Sequence, residues 1–278
     1  MTIPPSDTTT SSTPLRTLPF PHRWIDRKFP EVMAAPPEER ERIMVKRRME
    51  LLAARSDRQQ LCPKCSLMKS DLLNTCVCDA LGAIKLTRLP GRVDSFKFIV
   101  HMHVKERFRS SNSGKVIEQL YDAPVYLDSV PEDMVKMTKE IKDTGEENVF
   151  VLFPSEDAIT VREAREKGMF LKCPTIIIVD GTWGQARRLN KNIPENVTRI
   201  KIEPSSLSKF ACRTQTQSDR VCTVEAASIL LEEMGFVKDQ EILLEGLELV
   251  QRAFNVQTFH VVERPDDRQK KKLRFEEI

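Results

Sequence analysis

Glycine is scarce in this chain, with nine in 278 residues. Neither a G-x-G-x-x-G turn nor a Walker loop is present. Any nucleotide-like cofactor must therefore be held without the glycine-rich cradle of those folds. Long apolar runs are missing as well. None approaches the roughly 18–20 residues needed to span a bilayer, which argues against a membrane-spanning helix. Residues 1–20 lack the charged-then-apolar plan of a secretory signal. They are rich in Ser, Thr and Pro, as a transit peptide is, but Arg16 is their single basic residue. No internal repeat is visible. Net charge is also small, at +3. That balance permits a polyanionic partner without requiring one.

What is present describes a soluble globular protein. Hydrophobic residues make up 40% and charged residues 31%, enough for a sizeable core in one large domain or two small ones. Seven cysteines are an odd number, and four of them fall together. This fits a reducing compartment and a metal site better than a disulfide framework. The spacing is Cys62-x2-Cys65, ten residues, then Cys76-x-Cys78. Thiolates bind zinc tetrahedrally, and two close pairs supply all four ligands. Such a site has no open position, so it would be structural rather than catalytic. The competing reading is four free or redox-active cysteines. Cys173, Cys212 and Cys222 stand apart and read as buried or incidental thiols.

Residues 1–35 read as a disordered extension. Pro36-Pro37-Glu38-Glu39 then opens a basic amphipathic helix over 36–60. After the cysteine segment, 61–79, strands alternate with helices. Strands are expected at 97–103, 124–127, 148–153, 175–179 and 198–202. Helices are expected at 113–121, 131–142, 161–168, 185–189, 222–234 and 238–257, with Gly235 as a C-cap. The stretch 203–220 reads as irregular, and 261–278 as a charged, mobile tail. Alternation of this kind implies an α/β domain with a largely parallel sheet.

The most informative stretch is 175–190, TIIIVDGTWGQARRLN. A β-branched run stops at Asp180-Gly181-Thr182-Trp183 and a helix follows at once. In open α/β sheets, ligands bind beyond the carboxyl ends of the strands. The competing reading makes Asp180 or Thr182 a helix cap and Trp183 core filler. Phe153-Pro154-Ser155-Glu156-Asp157-Ala158 is a second polar strand end, expected beside the first and facing one cleft. His103 to Lys115 leaves a strand into a basic segment, and Ser111-Asn112-Ser113-Gly114-Lys115 opens a helix able to hold an anion. Thr223 reads as the N-cap of the helix after 222, with Glu225 a first-turn acid. Arg187, Arg188, Lys191, Arg199, Lys201, Lys209, Arg213 and Arg220 form a dock for a polyanion if they share a face, and a solvated surface if they do not.

These motifs together resemble the DTW-domain family of tRNA-uridine aminocarboxypropyltransferases. The order agrees: the cysteine cluster, E-R-F-R-S-S-N-S-G-K, L-F-P-S-E-D-A, V-D-G-T-W followed by A-R-R-L, then C-T-V-E-A. The resemblance covers about residues 60–235. The chain departs from the family in two small ways, with Ser113 where a Thr is usual and Cys222 where a Ser is usual. The resemblance implies an α/β SPOUT-like sheet flanked by helices, with a C-terminal knot, over a domain at 61–260. It implies S-adenosylmethionine as co-substrate and transfer of the 3-amino-3-carboxypropyl group to N3 of a tRNA uridine, releasing methylthioadenosine. Many SPOUT relatives dimerise; the sequence fixes no oligomeric state. Nucleus or cytoplasm is the expected location.

Under that resemblance Asp180 is the candidate base, or orients N3. Leu152, Pro154, Ser155, Val179, Gly181, Thr182, Trp183, Thr223 and Glu225 would line the cofactor pocket. For Trp183, packing behind the turn is preferred to stacking on a base. Arg107, Ser111, Asn112, Lys115, Arg187 and Arg188 would hold the amino-acid end or RNA phosphates, and Cys62, Cys65, Cys76 and Cys78 would hold zinc. The alternatives are the same transfer to rRNA, methyl transfer, or a zinc-stabilised RNA-binding module without catalysis.

Overall fold

The computed structural model describes residues 32, 34–58, 60–70, 73–89, 95–170, 172–203 and 221–262. The chain divides into two compact units, residues 1–44 and 45–278. Helix α1, Pro37–Arg58, runs across the boundary between them and carries Glu38 and Glu39 in its first turn. Acids there complement the helix dipole. Of the extension expected over 1–35, residues 1–31 and 33 lie outside the described residues, as do most of 203–220 and the tail beyond 262.

In the second unit the elements run α2 (Cys78–Arg88), β1 (Lys97–Met102), α3 (Gly114–Tyr121), β2 (Val125–Leu127), α4 (Pro131–Thr144) and β3 (Val149–Leu152). They continue with β4 (Ile159–Thr160), α5 (Val161–Glu166), β5 (Thr175–Asp180), α6 (Trp183–Lys191), β6 (Thr198–Lys201), α7 (Thr223–Met234) and α8 (Val237–Val262). The six strands form one sheet in the order β2-β1-β5-β3-β6-β4, and every pairing is parallel. All strands therefore end on the same edge of the sheet. The polar strand ends of β3 and β5 are neighbours, with Leu152 opposite Ile178.

Alternation along the strands divides the core into two layers. Phe98, Val100, Met102, Phe150, Leu152, Ile176, Ile178 and Ile200 face one side, where α2, α3, α5, α7 and α8 pack. Ile99, Val149, Val151, Phe153 and Ile177 face the other, against α4 and α6. Burial on both faces explains the unbroken apolar run in β5, where Ile176, Ile177 and Ile178 are all buried.

Two elements were not expected from the sequence. Helix α2 begins on Cys78 itself and buries Leu81 and Ile84. Strand β4 is two residues long and pairs with β6. Helix α5 stops at Glu166, and Gly168 takes φ 67° just beyond it. Gly235 caps α7 in the left-handed conformation, as expected. Helix α8 lies so close to α3 that a β-carbon on Gly246 would come within 2.7 Å of Val116 Cγ1. No helix among the described residues is long and apolar enough to cross a membrane.

Candidate active site and metal centre

Asp180 closes β5 opposite Met102 of β1, whose side chain lies in the α3/α7 layer. Its carboxylate points the same way and is 3% exposed. Asn112 Nδ2 donates to Oδ2 at 2.5 Å. Thr223 Oγ1 donates to Oδ1 at 2.6 Å. A buried carboxylate requires such donors, and two of them fix its orientation. Gly114 leaves room for it: a β-carbon there would stand 2.9 Å from Asp180 Oδ2.

The local sequence explains how Asn112 and Thr223 arrive. Successive tight turns carry the chain from β1 to α3, with Glu106 N donating to His103 O, Arg109 N to Glu106 O, and Asn112 N to Arg109 O. Buried Glu106 pairs with Arg109 at 3.0 Å, and Arg107 pairs with Glu118 at 2.6 Å. At α7 the N-cap is Cys222, not Thr223 as expected. Glu225 reaches back to accept from Cys222 N at 2.8 Å, the reciprocal arm of a capping box. Thr223 is therefore the first helical residue, and its hydroxyl goes to Asp180 instead. Cys222 also contacts the Ser113 hydroxyl. Burial, then the charge of Glu225, pushes the Cys222 thiol well up.

Around the DGTW turn the labour is divided. Thr182 is exposed and is the N-cap of α6, its N–H donating to Gln185 Oε1 at 2.7 Å. Trp183 packs with the second core layer, its ring 6.4 Å from that of Phe153. Val179 joins the same layer. Gly181 sits tightly against Gln185 and His103. Leu152 at the end of β3 is buried, and Pro154, two residues beyond the strand, is exposed. Ser155 Oγ is shut off from solvent, and its hydrogen bond to the Asp157 carboxylate holds that acid below its ordinary value.

The basic residues separate. Arg187 is exposed, and exposed Arg188 pairs with buried Asp128, which also accepts from Asn192 Nδ2 at 2.9 Å. Arg199 is no part of a surface patch: it is 6% exposed and donates to the carbonyls of Pro194, Val197, Ile193 and Asn190. Lys209, Arg213 and Arg220 lie outside the described residues. Ser111 is half-buried. Lys115 is buried, and its ammonium is directed at the cysteine segment rather than at solvent. Burial, then the Arg107 charge, draws it down to about 7, with the cysteine cluster, Glu118 and Asp180 opposing.

Sequence reasoning passed over Asp128, His101 and His103. Asp128 follows the short strand β2 just as Asp180 ends β5, and its N–H donates to Met102 O. An acid directly after an apolar strand was the available signal. His101 Nδ1 donates to Tyr126 O at 3.2 Å, and His103 Nδ1 accepts from Lys105 N at 3.2 Å. Both rings are buried. Burial lowers His101, and burial followed by the Arg188 charge lowers His103 to about 4.

The cysteine segment folds as a compact knuckle. Leu61 bridges Met68 and Lys69 bridges Asn74, both antiparallel. Ser66 turns at φ 58° and its N–H donates to Cys62 O. The four sulfurs of Cys62, Cys65, Cys76 and Cys78 lie within 4.8 Å of one another, with Cys62–Cys78 at 3.6 Å and Cys65–Cys76 at 3.7 Å. A tetrahedral metal–thiolate site with bonds of about 2.3 Å sets its sulfurs about 3.8 Å apart. None of the four is in a disulfide. The group can hold a metal ion. Burial, then the charges of Cys62 and Cys76, pushes Cys65 up to about 11, whereas Cys62, although burial opposes it, is drawn down to about 7 by hydrogen bonds from the Cys65 and Lys64 backbone.

A carboxylate fixed between two donors at the edge of a parallel sheet can accept or orient a proton on a bound group. The family model of the DTW domain matches residues 59–255. No solved structure matches the chain.

Proposed function

The chain belongs to the DTW-domain family, and from that premise we propose that it is a tRNA-modifying transferase. It moves the 3-amino-3-carboxypropyl group of S-adenosylmethionine to N3 of a tRNA uridine and releases methylthioadenosine. The observation that carries this reading is the buried Asp180 carboxylate, held by Asn112 and Thr223 at the end of a central parallel strand. SPOUT kinship and the C-terminal knot belong to the same proposal, and the parallel sheet is compatible with both.

The residues fit S-adenosylmethionine at the ends of β3 and β5. Leu152 and Ser155 at the end of β3 and Gly181 after β5 offer backbone and a hydroxyl there, since β3 and β5 are neighbours, while Thr182, Trp183 and Glu225 shape the turn and the α7 cap. Bound there, the sulfonium supplies an activated carbon for nucleophilic attack. Uridine N3 carries a proton and is a weak nucleophile. Asp180 accepts or orients that N3 proton, and Asn112 and Thr223 hold its carboxylate in place. Arg187 and Arg188 on α6 are exposed cations suited to RNA phosphates. Cys62, Cys65, Cys76 and Cys78 would hold zinc in the knuckle, for which four thiolates are a common structural set. The unpaired cysteines fit a reducing compartment, nucleus or cytoplasm.

The deciding experiment offers tRNA and rRNA separately and weighs the small product. Methylthioadenosine with tRNA supports the reading. Methylthioadenosine with rRNA alone moves the acceptor, adenosylhomocysteine indicates methyl transfer, and no product with either RNA indicates a binding module. Asp180→Ala and Asp180→Asn, each checked for folding, should abolish transfer. Near-normal turnover in a folded variant would remove Asp180 from the chemistry.

A further inference from the structure

We propose that Lys115 is a positioning residue whose ammonium couples the metal knuckle to the Asp180 carboxylate. Lys115 is 2% exposed and is one of the largest fully buried side chains among the described residues. Its Nζ donates to Ser66 Oγ at 2.5 Å, Arg109 O at 3.2 Å and Cys65 O at 3.5 Å. All three acceptors are neutral, and a buried ammonium needs charge of opposite sign nearby. Three anionic groups supply it. A divalent cation held by four thiolates would carry a net charge of two negative, and Cys65 is one of those ligands. Glu118 and Asp180 are the others, and the hydrogen-bonded path from Lys115 leads to Asp180.

The hydrogen bonds form a continuous path. Cys65 O and Ser66 Oγ receive the ammonium, while the backbone N–H of the same Lys115 donates to Asn112 Oδ1 at 3.2 Å. Asn112 Nδ2 then donates to Asp180 Oδ2 at 2.5 Å. Parallel links join the knuckle to the loop that carries Asn112. Ser66 Oγ donates to Arg107 O at 3.4 Å, and Ser110 Oγ donates to Ser66 O at 2.5 Å. The Cys65–Ser66 turn is fixed by chelation at one end and serves as the floor of the 107–112 loop at the other. The knuckle thus sets the donor that orients Asp180, and metal loss reaches the site without any direct contact between metal and substrate.

The coupling stands on this geometry alone; its effect on turnover rests on the transfer reaction proposed above. The test uses the full chain loaded with zinc, the same protein stripped by a chelator, and Lys115→Met. Amide hydrogen exchange is followed at Arg109, Asn112 and Val116, which donate to Glu106, Arg109 and Ser113, and in α4 as a distant reference. Lys115→Met should keep about one zinc per chain, yet exchange at the three amides at least about tenfold faster with α4 unchanged. Chelation should give the same local increase. With substrates, kcat for methylthioadenosine release should fall about tenfold or more, while KM for S-adenosylmethionine stays within about twofold. If Lys115→Met loses protection everywhere, Ser66→Ala decides by the same exchange readout. Unchanged exchange at the three amides in a zinc-loaded variant would overturn the coupling, as would loss of zinc from a folded Lys115→Met. If wild type releases no methylthioadenosine, the proposed reaction fails and the exchange result still judges the coupling.

Discussion

Asn112 Nδ2 and Asp180 Oδ2 are 2.5 Å apart although 68 positions separate the residues. Thr223, a further 43 positions on, holds the other carboxylate oxygen. Three distant segments meet on one buried group. Removing either donor takes a hydrogen bond from a buried carboxylate, which costs about 1–3 kcal/mol. Asn112→Ala and Thr223→Val should each lower the urea midpoint accordingly. Because they share one acceptor group, the double variant should fall short of or exceed the sum. Strict additivity would show that the two bonds act independently.

Gly114 tests the same contact from the other side. Its would-be β-carbon meets Asp180 Oδ2 at 2.9 Å and Cγ at 3.0 Å. The carboxylate is pinned and cannot yield cheaply, so Gly114→Ala should destabilise by about 1–3 kcal/mol. Gly82, inside α2, has nothing within 4 Å of the added carbon. Gly82→Ala should stabilise by about 0.5–1 kcal/mol through helix propensity. Thermal melts of the two variants should therefore move in opposite directions.

The buried histidines set an acid-side slope. His101 and His103 are both held below the ordinary value near 6.5, with His103 at about 4. Between those values the unfolded chain binds protons that the folded chain refuses. Stability is full above pH 6.5, declines as pH falls towards 4, and loses no more to His103 below that. Melting temperatures from pH 7.5 to 4.5 should show the decline, and His103→Asn should flatten part of it. An unchanged slope in that variant would clear His103 of the effect.

Arg199 looks like surface charge in the sequence but holds the connection from α6 to β6 together. Its guanidinium serves carbonyls from Asn190 to Val197. Arg199→Met should cost at least about 3 kcal/mol, because several buried acceptors lose their donor at once. Arg199→Lys should recover little, since one ammonium cannot reproduce the planar fork. A Lys variant as stable as wild type in urea unfolding would contradict this account.

Much of the fold was legible because its strands are buried on both faces and its helices are periodic. The β-branched run at 175–179 and the polar turns after β3 and β5 announce a parallel sheet with adjoining strand ends. Helix α2 was missed because its first residue is a cysteine already assigned to the metal cluster, and only Leu81 and Ile84 mark its buried face. A hydroxyl before a helix usually caps it, which points to Thr223, yet Cys222 holds that place. The position of Lys115 at a helix start suggests an anion contact. Its actual direction depends on the knuckle 50 residues earlier, a pairing that no local pattern encodes. Asp128 and Arg188 were separated in the same way, by 60 positions.

Helix α8 touches more than its late place in the chain suggests. Gly246 lets it settle onto Val116 and Leu120 of α3, Gln257 Oε1 accepts from the Met68 backbone at 2.9 Å and the Thr75 hydroxyl at 3.2 Å, and Gln257 Nε2 donates to the Ser110 hydroxyl at 3.4 Å. A chain emerging from the ribosome presents the knuckle and all six strands before this helix exists. The segment carrying Asn112 then awaits its last support until residue 257 has left the exit tunnel, so metal capture can precede completion of the Asp180 site during synthesis.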